Sequence, residues 1–160
     1  RCKNPVGTMI LLHGYKSTAL NDLALVVRDY LDLNLNVIMV DNRTAGLSGG
    51  KYTTFGVLEA KDLVAWVMYA KKLLNVPVAI GGVSMGASSV LFAVPQLKGK
   101  IAFAVADCPF IEPYSQILYT IDNFTVLKGK PFMPLVNEYS KRFALIASVI
   151  MAAVLSFNKP

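Results

Sequence analysis

The chain has 160 residues, which is enough for one domain with a sizeable core. Hydrophobic residues make up 54% of the sequence and charged residues only 16%, so part of its surface is expected to face a partner, a missing segment of the protein or a membrane. The formal net charge is +6, but the basic residues are scattered and form no stripe interleaved with aromatic residues, which argues against nucleic-acid binding.

Strand and helix patterns alternate along the first part of the chain. Continuous apolar runs predict four buried strands, at 8–12, 36–40, 78–82 and 101–106. Apolar residues at helical spacing predict three helices, one beginning after Ser17 and Thr18, one over 60–74 and one over 84–95. The first helix is expected to pack against the sheet through an apolar stripe formed by Leu20, Leu23, Ala24, Val27 and Leu31.

This alternation predicts an α/β fold in which parallel strands are joined by right-handed crossovers and helices cover both faces of the sheet. A polar residue follows each predicted strand: His13, Asp41, Ser84 and Asp107. The carboxyl ends of parallel strands form one edge of the sheet, and functional groups collect there. We therefore expect these four residues around one site.

The alternation stops after Asp107. We predict that residues 1–110 form the N-terminal part of the core and that residues 111–160 form a helical cap or lid, with the chain ending before the last core strands. Residues 143–157 are apolar and uncharged but fewer than the ~18 residues of a spanning helix, so a buried cap helix is favoured. A membrane-anchoring helix is the alternative, because Lys141, Arg142 and Lys159 flank the segment.

The motif Gly82-Val83-Ser84-Met85-Gly86 places a lone serine between a predicted strand and a predicted helix. Its glycines leave room for a sharp turn that would present the hydroxyl at the corner. A nucleophilic serine on this type of sheet requires that strand–turn–helix context. Ser84 is therefore predicted to be a nucleophile, with a chance occurrence of the motif as the alternative.

Other residues have predicted roles around this serine. The backbone N–H groups of Tyr15, which follows Gly14, and of Met85 are predicted to form an oxyanion hole. Asp107 is a candidate triad acid, and a structural cap of the next turn is the alternative. His13 is the sole histidine and precedes the serine, whereas the base of such a triad follows the nucleophile and the acid along the chain. We therefore expect His13 to be structural.

Several other site types are not predicted. Asp41-Asn42-Arg43 and the glycines that follow lack the Gly-Lys-Ser/Thr arrangement of a phosphate loop. Cys2 and Cys108 are too few for a disulfide framework and sit in no metal-ligand spacing, so a reduced compartment is the default expectation. We predict no cofactor and no metal.

Five separated motifs together resemble a bacterial α/β-hydrolase family, whose members are described as hydrolases or esterases. The similarity covers residues 6–115, and its motifs lie at 12–15, 41–50, 55–59, 82–86 and 106–110. The resemblance implies that Ser84 is the nucleophile and that Tyr15 and Met85 line the oxyanion hole. One departure is Thr44-Ala45, where the family usually has glycine or another small residue.

Family members continue past a helical cap into a strand that carries the triad aspartate and a loop that carries the histidine. Neither can be located in this chain, so neither residue is carried over. Some members are attached to the membrane through an N-terminal segment. This chain begins at Arg1 with no signal-peptide pattern, which leaves open a cytoplasmic location or membrane attachment through a missing N-terminal segment.

The predicted function is a serine hydrolase that cleaves small-molecule carboxylic esters through an acyl-enzyme on Ser84. The 160-residue chain alone is expected to have little activity and to self-associate through an open sheet edge. One alternative is a non-catalytic binding module with the α/β-hydrolase fold. The other is a membrane-associated protein acting through residues 143–157.

Overall fold

The computed structural model describes residues 2–122. It contains four strands: β1 (Gly7–Leu12), β2 (Leu35–Val40), β3 (Val78–Val83) and β4 (Ala104–Asp107). It contains four α-helices: α1 (Ala19–Asp32), α2 (Val57–Leu73), α3 (Met85–Ala93) and α4 (Pro113–Asp122). A short 3₁₀ helix, Val94–Leu97, continues α3.

The strands form one parallel sheet in the order β2-β1-β3-β4. Leu12 at the end of β1 pairs with Val40 on one side and with Gly82 on the other, so the carboxyl ends of the three strands are level. Val83 pairs with Asp107 at the end of β4. The α/β fold predicted from the alternating pattern is confirmed, and His13, Asp41, Ser84 and Asp107 all lie at this edge.

Successive β1 side chains enter two separate cores, which explains why its apolar run is continuous. Ile10 and Leu12 pack in a cluster with buried residues of α2 and α3, on one face of the sheet. Met9 and Leu11 pack on the opposite face with Ala19 and Leu23 of α1. The sheet is therefore covered by helices on both faces, as predicted.

The predicted packing stripe of α1 is wrong by part of a turn. Leu20 is 68% exposed, and the buried residues of the helix are Ala19 and Leu23. The phase is set by polar bonds at the helix start, because the Ala19 N–H donates to the Asp41 carboxylate at 2.8 Å and the Thr18 hydroxyl accepts from the Asn21 N–H. The local cap at Thr18 and the tertiary bond to Asp41 together override a stripe estimated from the apolar residues alone.

Strand β4 is shorter than predicted and begins at Ala104. It lies at an edge of the described sheet, and Val105 is 42% exposed. Helix α2 starts earlier than predicted, at Val57, because the Glu59 side chain caps its first turn. Its apolar residues Leu63 and Val67 are fully buried.

The chain divides into two compact units, Arg1–Phe110 and Ile111–Pro160. In the second unit the structure describes residues 111–122, which include α4. The expected apolar helix at 143–157 lies outside the described residues, and the assignment of this unit as a cap stays a prediction. Within residues 2–122, no helix is both long and apolar enough to cross a membrane.

Candidate active site

Ser84 occupies a sharp turn between β3 and α3. Its φ and ψ are 53° and −114°, a combination that residues with a side chain rarely adopt. The Ser84 N–H donates to the Asp107 carbonyl at 2.9 Å, and the Ser84 carbonyl accepts from the Ser88 N–H at 3.0 Å. Backbone bonds thus hold the turn while the Ser84 side chain is exposed.

The two glycines flanking the turn lie where no side chain fits. A Cβ on Gly82 would lie 2.4 Å from the carbonyl carbon of Gly86. A Cβ on Gly86 would lie 2.3 Å from the carbonyl oxygen of Leu12. The start of α3 therefore touches the end of β1, which brings the loop after β1 beside Ser84.

The loop after β1 is fixed by a carboxylate from α1. The Gly14 N–H donates to Asp22 at 2.8 Å, and the Ser17 hydroxyl donates to the other oxygen of the same carboxylate. A Cβ on Gly14 would lie only 3.4 Å from the Ser84 Cβ. Tyr15, the next residue, is consequently held close to the serine.

Tyr15 and Met85, the two residues predicted to supply the oxyanion-hole N–H groups, line one cavity of about 470 Å³, with His13 in its wall. Ser84 is not among the residues that line this cavity, and the oxyanion hole stays a prediction. Neither N–H donates a hydrogen bond to another group of residues 2–122. Met85 is the first residue of α3, where the helix N-terminus favours negative charge.

His13 is only 1% exposed and uses both ring nitrogens in hydrogen bonds. Its Nε2 accepts from the Asn42 N–H at 2.9 Å, which assigns the ring proton to Nδ1, 2.7 Å from the Gly14 carbonyl oxygen. The Asn42 side-chain amide donates to the His13 carbonyl at 2.9 Å. The imidazole therefore ties the ends of β1 and β2 together, and neither ring nitrogen is open to accept a proton from Ser84.

Asp107 contacts Ser84 through its backbone carbonyl, which accepts the hydrogen bond from the Ser84 N–H. Its carboxylate is hydrogen-bonded to the thiol of Cys108, and that bond, with the negative charge of the carboxylate, raises the pKa of the Cys108 thiol above its ordinary value. Cys108 is exposed and has a φ of 52°. The role of Asp107 as a triad acid stays a prediction.

Three aromatic rings at this edge were not predicted as a unit. The ring of Phe55 lies between those of Tyr15 and Phe110, with centroid distances of 4.8 Å and 6.4 Å. The Phe110 N–H donates to the Ser88 hydroxyl, which in turn donates to the Phe110 carbonyl. The motif at 55–59 contributed to the family resemblance, but nothing in it indicates a ring cluster.

A larger cavity of about 540 Å³ lies beside Arg43 and Trp66, and Ser84 does not line it. In the wall of this cavity, Arg43 forms a bidentate ion pair with Asp62, with N–O distances of 2.9 Å and 2.8 Å. Among residues 2–122, no cluster of histidine, cysteine and acidic side chains could hold a metal ion.

No protein-family model matches the chain. The chain is 35% identical over 137 residues to the uncharacterized protein YqkD of Bacillus subtilis, an alignment that covers 84% of this chain and 45% of YqkD. An esterase of Pyrococcus furiosus is 30% identical with a TM-score of 0.70, over 85% of this chain and 54% of the esterase.

A serine hydrolase without a lid from Xanthomonas campestris is 22% identical with a TM-score of 0.55, over 61% of this chain and 46% of that protein. The chain thus spans about half the length of these proteins. The parallel sheet and these structural similarities together show that the chain belongs to the α/β-hydrolase superfamily.

Proposed function

We propose that the whole protein is a serine hydrolase that cleaves carboxylic esters of small molecules, with Ser84 as its nucleophile. The observation that carries this proposal is the turn at Ser84, where a positive φ between two glycines presents an exposed side chain. We interpret the turn as the nucleophile elbow of the superfamily. Ester cleavage is further supported by the similarity to the Pyrococcus furiosus esterase.

In the proposed mechanism the Ser84 Oγ attacks the ester carbonyl and a base accepts its proton. The oxyanion of the tetrahedral intermediate accepts hydrogen bonds from the N–H groups of Tyr15 and Met85, and loss of one such donor typically lowers the rate by about 10²–10³. Collapse expels the alcohol, which takes the proton from the base. Water then attacks the acyl-enzyme and gives its proton to the base, the carboxylic acid leaves, and the base returns the proton to the Ser84 Oγ.

We propose that the base lies in sequence outside this chain, because both ring nitrogens of its sole histidine, His13, are already hydrogen-bonded. The triad acid is either Asp107 or a residue outside the chain. The 160-residue chain alone would then have little hydrolytic activity. Without the base, the oxyanion donors and substrate binding supply only about 10³–10⁴ over water.

Fluorophosphonate labelling of the whole protein tests the nucleophile. Ser84→Ala should abolish labelling and leave the melting temperature nearly unchanged, because it removes one hydroxyl from an exposed side chain. The matched control is Ser48→Ala, which removes another exposed hydroxyl, from the loop after β2, and should label normally.

Labelling of the Ser84→Ala variant at the wild-type level would refute the assignment of the nucleophile. If the whole wild-type protein did not label at all, the proposed enzyme would give way to the alternative, a non-catalytic binding module.

A further inference from the structure

Glu59 is a buried carboxylate that the proposed mechanism does not use. It is 1% exposed, and its oxygens accept from the Thr54 N–H at 2.9 Å, the Thr54 hydroxyl at 2.7 Å and the Gly56 N–H at 2.9 Å. Arg43 Nε lies 4.0 Å away and supplies the compensating charge. A carboxylate is retained in such a place only when its hydrogen bonds are satisfied, as they are here.

The backbone partners of Glu59 lie immediately before and after Phe55. Phe55 has a φ of 50° and Gly56 a φ of 98°, so two successive residues adopt left-handed backbone. This conformation is unfavourable for a bulky residue and persists where its surroundings over-determine it. Here the Glu59 carboxylate binds the backbone of the segment. The Phe92 ring would lie 3.0 Å from a Cβ on Gly56, so it leaves little space for a side chain at that position.

The backbone conformation at Phe55 directs its ring between Tyr15 and Phe110. Tyr15 is 40% exposed, and Phe55 and Phe110 are half-buried, so the cluster presents an apolar surface at the carboxyl edge of the sheet. Two of its members belong to segments that are fixed beside Ser84. Tyr15 follows Gly14, which faces the serine, and Phe110 is bound to Ser88, one helical turn beyond it.

We infer that Tyr15, Phe55 and Phe110 form an aromatic wall that binds the hydrocarbon part of the acyl group, and that Glu59 is the positioning residue that holds Phe55 in this wall. This role rests on the proposed serine-hydrolase function. The preferred substrates are then esters of medium-chain or aryl carboxylic acids. Acetyl esters are too short to cover the wall.

The experiment compares kcat/KM of the whole protein for p-nitrophenyl acetate and p-nitrophenyl hexanoate. For the wild type, each methylene that the wall covers should raise kcat/KM by about fourfold. Phe55→Gly should lower the hexanoate-to-acetate ratio by about tenfold or more, mainly through KM for the hexanoate. Glycine tolerates the positive φ, so this variant keeps the backbone conformation without the ring.

Glu59→Gln should lower the same ratio, because an amide nitrogen cannot accept hydrogen bonds from the N–H groups beside Phe55. If Glu59 acts through Phe55, the substitution should lower the ratio in the wild type but cause no further loss in the Phe55→Gly background. The matched control is Phe103→Ala, which removes an exposed ring that precedes β4, far from the carboxyl edge, and should leave the ratio unchanged.

A wild-type ratio in the Phe55→Gly variant would overturn the aromatic wall, even if the enzyme hydrolyses both esters. Additive losses of the ratio in the double variant would overturn the positioning role of Glu59. These outcomes are separate from failure of the proposed function, which would appear as neither fluorophosphonate labelling nor turnover of any ester by the wild type.

Discussion

Gly86→Ala tests the close contact on which the turn at Ser84 depends. The added Cβ would lie 2.3 Å from the Leu12 carbonyl oxygen and 2.8 Å from the His13 carbonyl oxygen. Both are backbone atoms, so β1 and α3 must separate by about 1 Å to restore an ordinary contact of 3.4 Å. Overpacking costs about 1–3 kcal/mol, and this overlap with rigid backbone belongs at the upper end.

Alanine also favours the helix over glycine by at most about 1 kcal/mol, which leaves a net loss of about 2 kcal/mol. For a chain of this size that corresponds to a fall in Tm of about 4–8 °C. Thermal unfolding followed by circular dichroism measures the fall. The matched control is Gly49→Ala, because a Cβ there meets nothing within 4 Å, and its Tm should stay within about 2 °C of wild type. If the Tm of Gly86→Ala equals that of Gly49→Ala, the close contact between α3 and β1 is wrong.

Two further predictions concern His13 and Asp107. His13→Ala leaves the Asn42 N–H without its acceptor and opens a cavity, so urea unfolding should show a loss of about 3 kcal/mol; a loss under about 0.5 kcal/mol would contradict the structural role of the imidazole. Asp107→Asn removes the negative charge that raises the pKa of Cys108, so more thiolate is present at about pH 8 and iodoacetamide should alkylate Cys108 faster, measured in a Cys2→Ser background. An unchanged alkylation rate would show that Asp107 does not control this thiol.

The sheet and the edge that carries the candidate site could be predicted because their signals are local. A strand buried on both faces must be continuously apolar, and β1 fulfils this with alternate side chains in two cores. A glycine pair around Ser84 indicates a turn without space for Cβ atoms, and the distances at Gly82 and Gly86 give the physical reason. The packing stripe of α1 was wrong because a carboxylate from the loop after β2, Asp41, fixes the start of that helix.

The aromatic wall could not be predicted because it depends on distant contacts. Tyr15 and Phe110 are separated by almost the whole core unit, and only the sheet order brings their loops together. The positive φ of Phe55 could not be predicted either, because phenylalanine, unlike glycine, does not indicate a left-handed backbone. Glu59 three residues after Gly56 does match the end of a helix-capping pattern, and that spacing could have indicated a fixed loop without indicating what the loop holds.

Unfavourable backbone conformations are concentrated at the edge that carries Ser84. Of the six described non-glycine residues with positive φ, only Asn34 precedes a strand. The other five lie in segments that follow the strands: Lys16, Thr44, Phe55, Ser84 and Cys108. Such strain persists where the surroundings enforce it, and at this edge backbone N–H groups of the loops and helix starts donate to the carboxylates of Asp22, Asp41 and Glu59. The loops are therefore fixed by the sheet to which they are attached and by acidic side chains that bind their backbone N–H groups. Although the chain is basic overall, with only ten acidic residues, three of these carboxylates fix the backbone of the edge that carries Ser84.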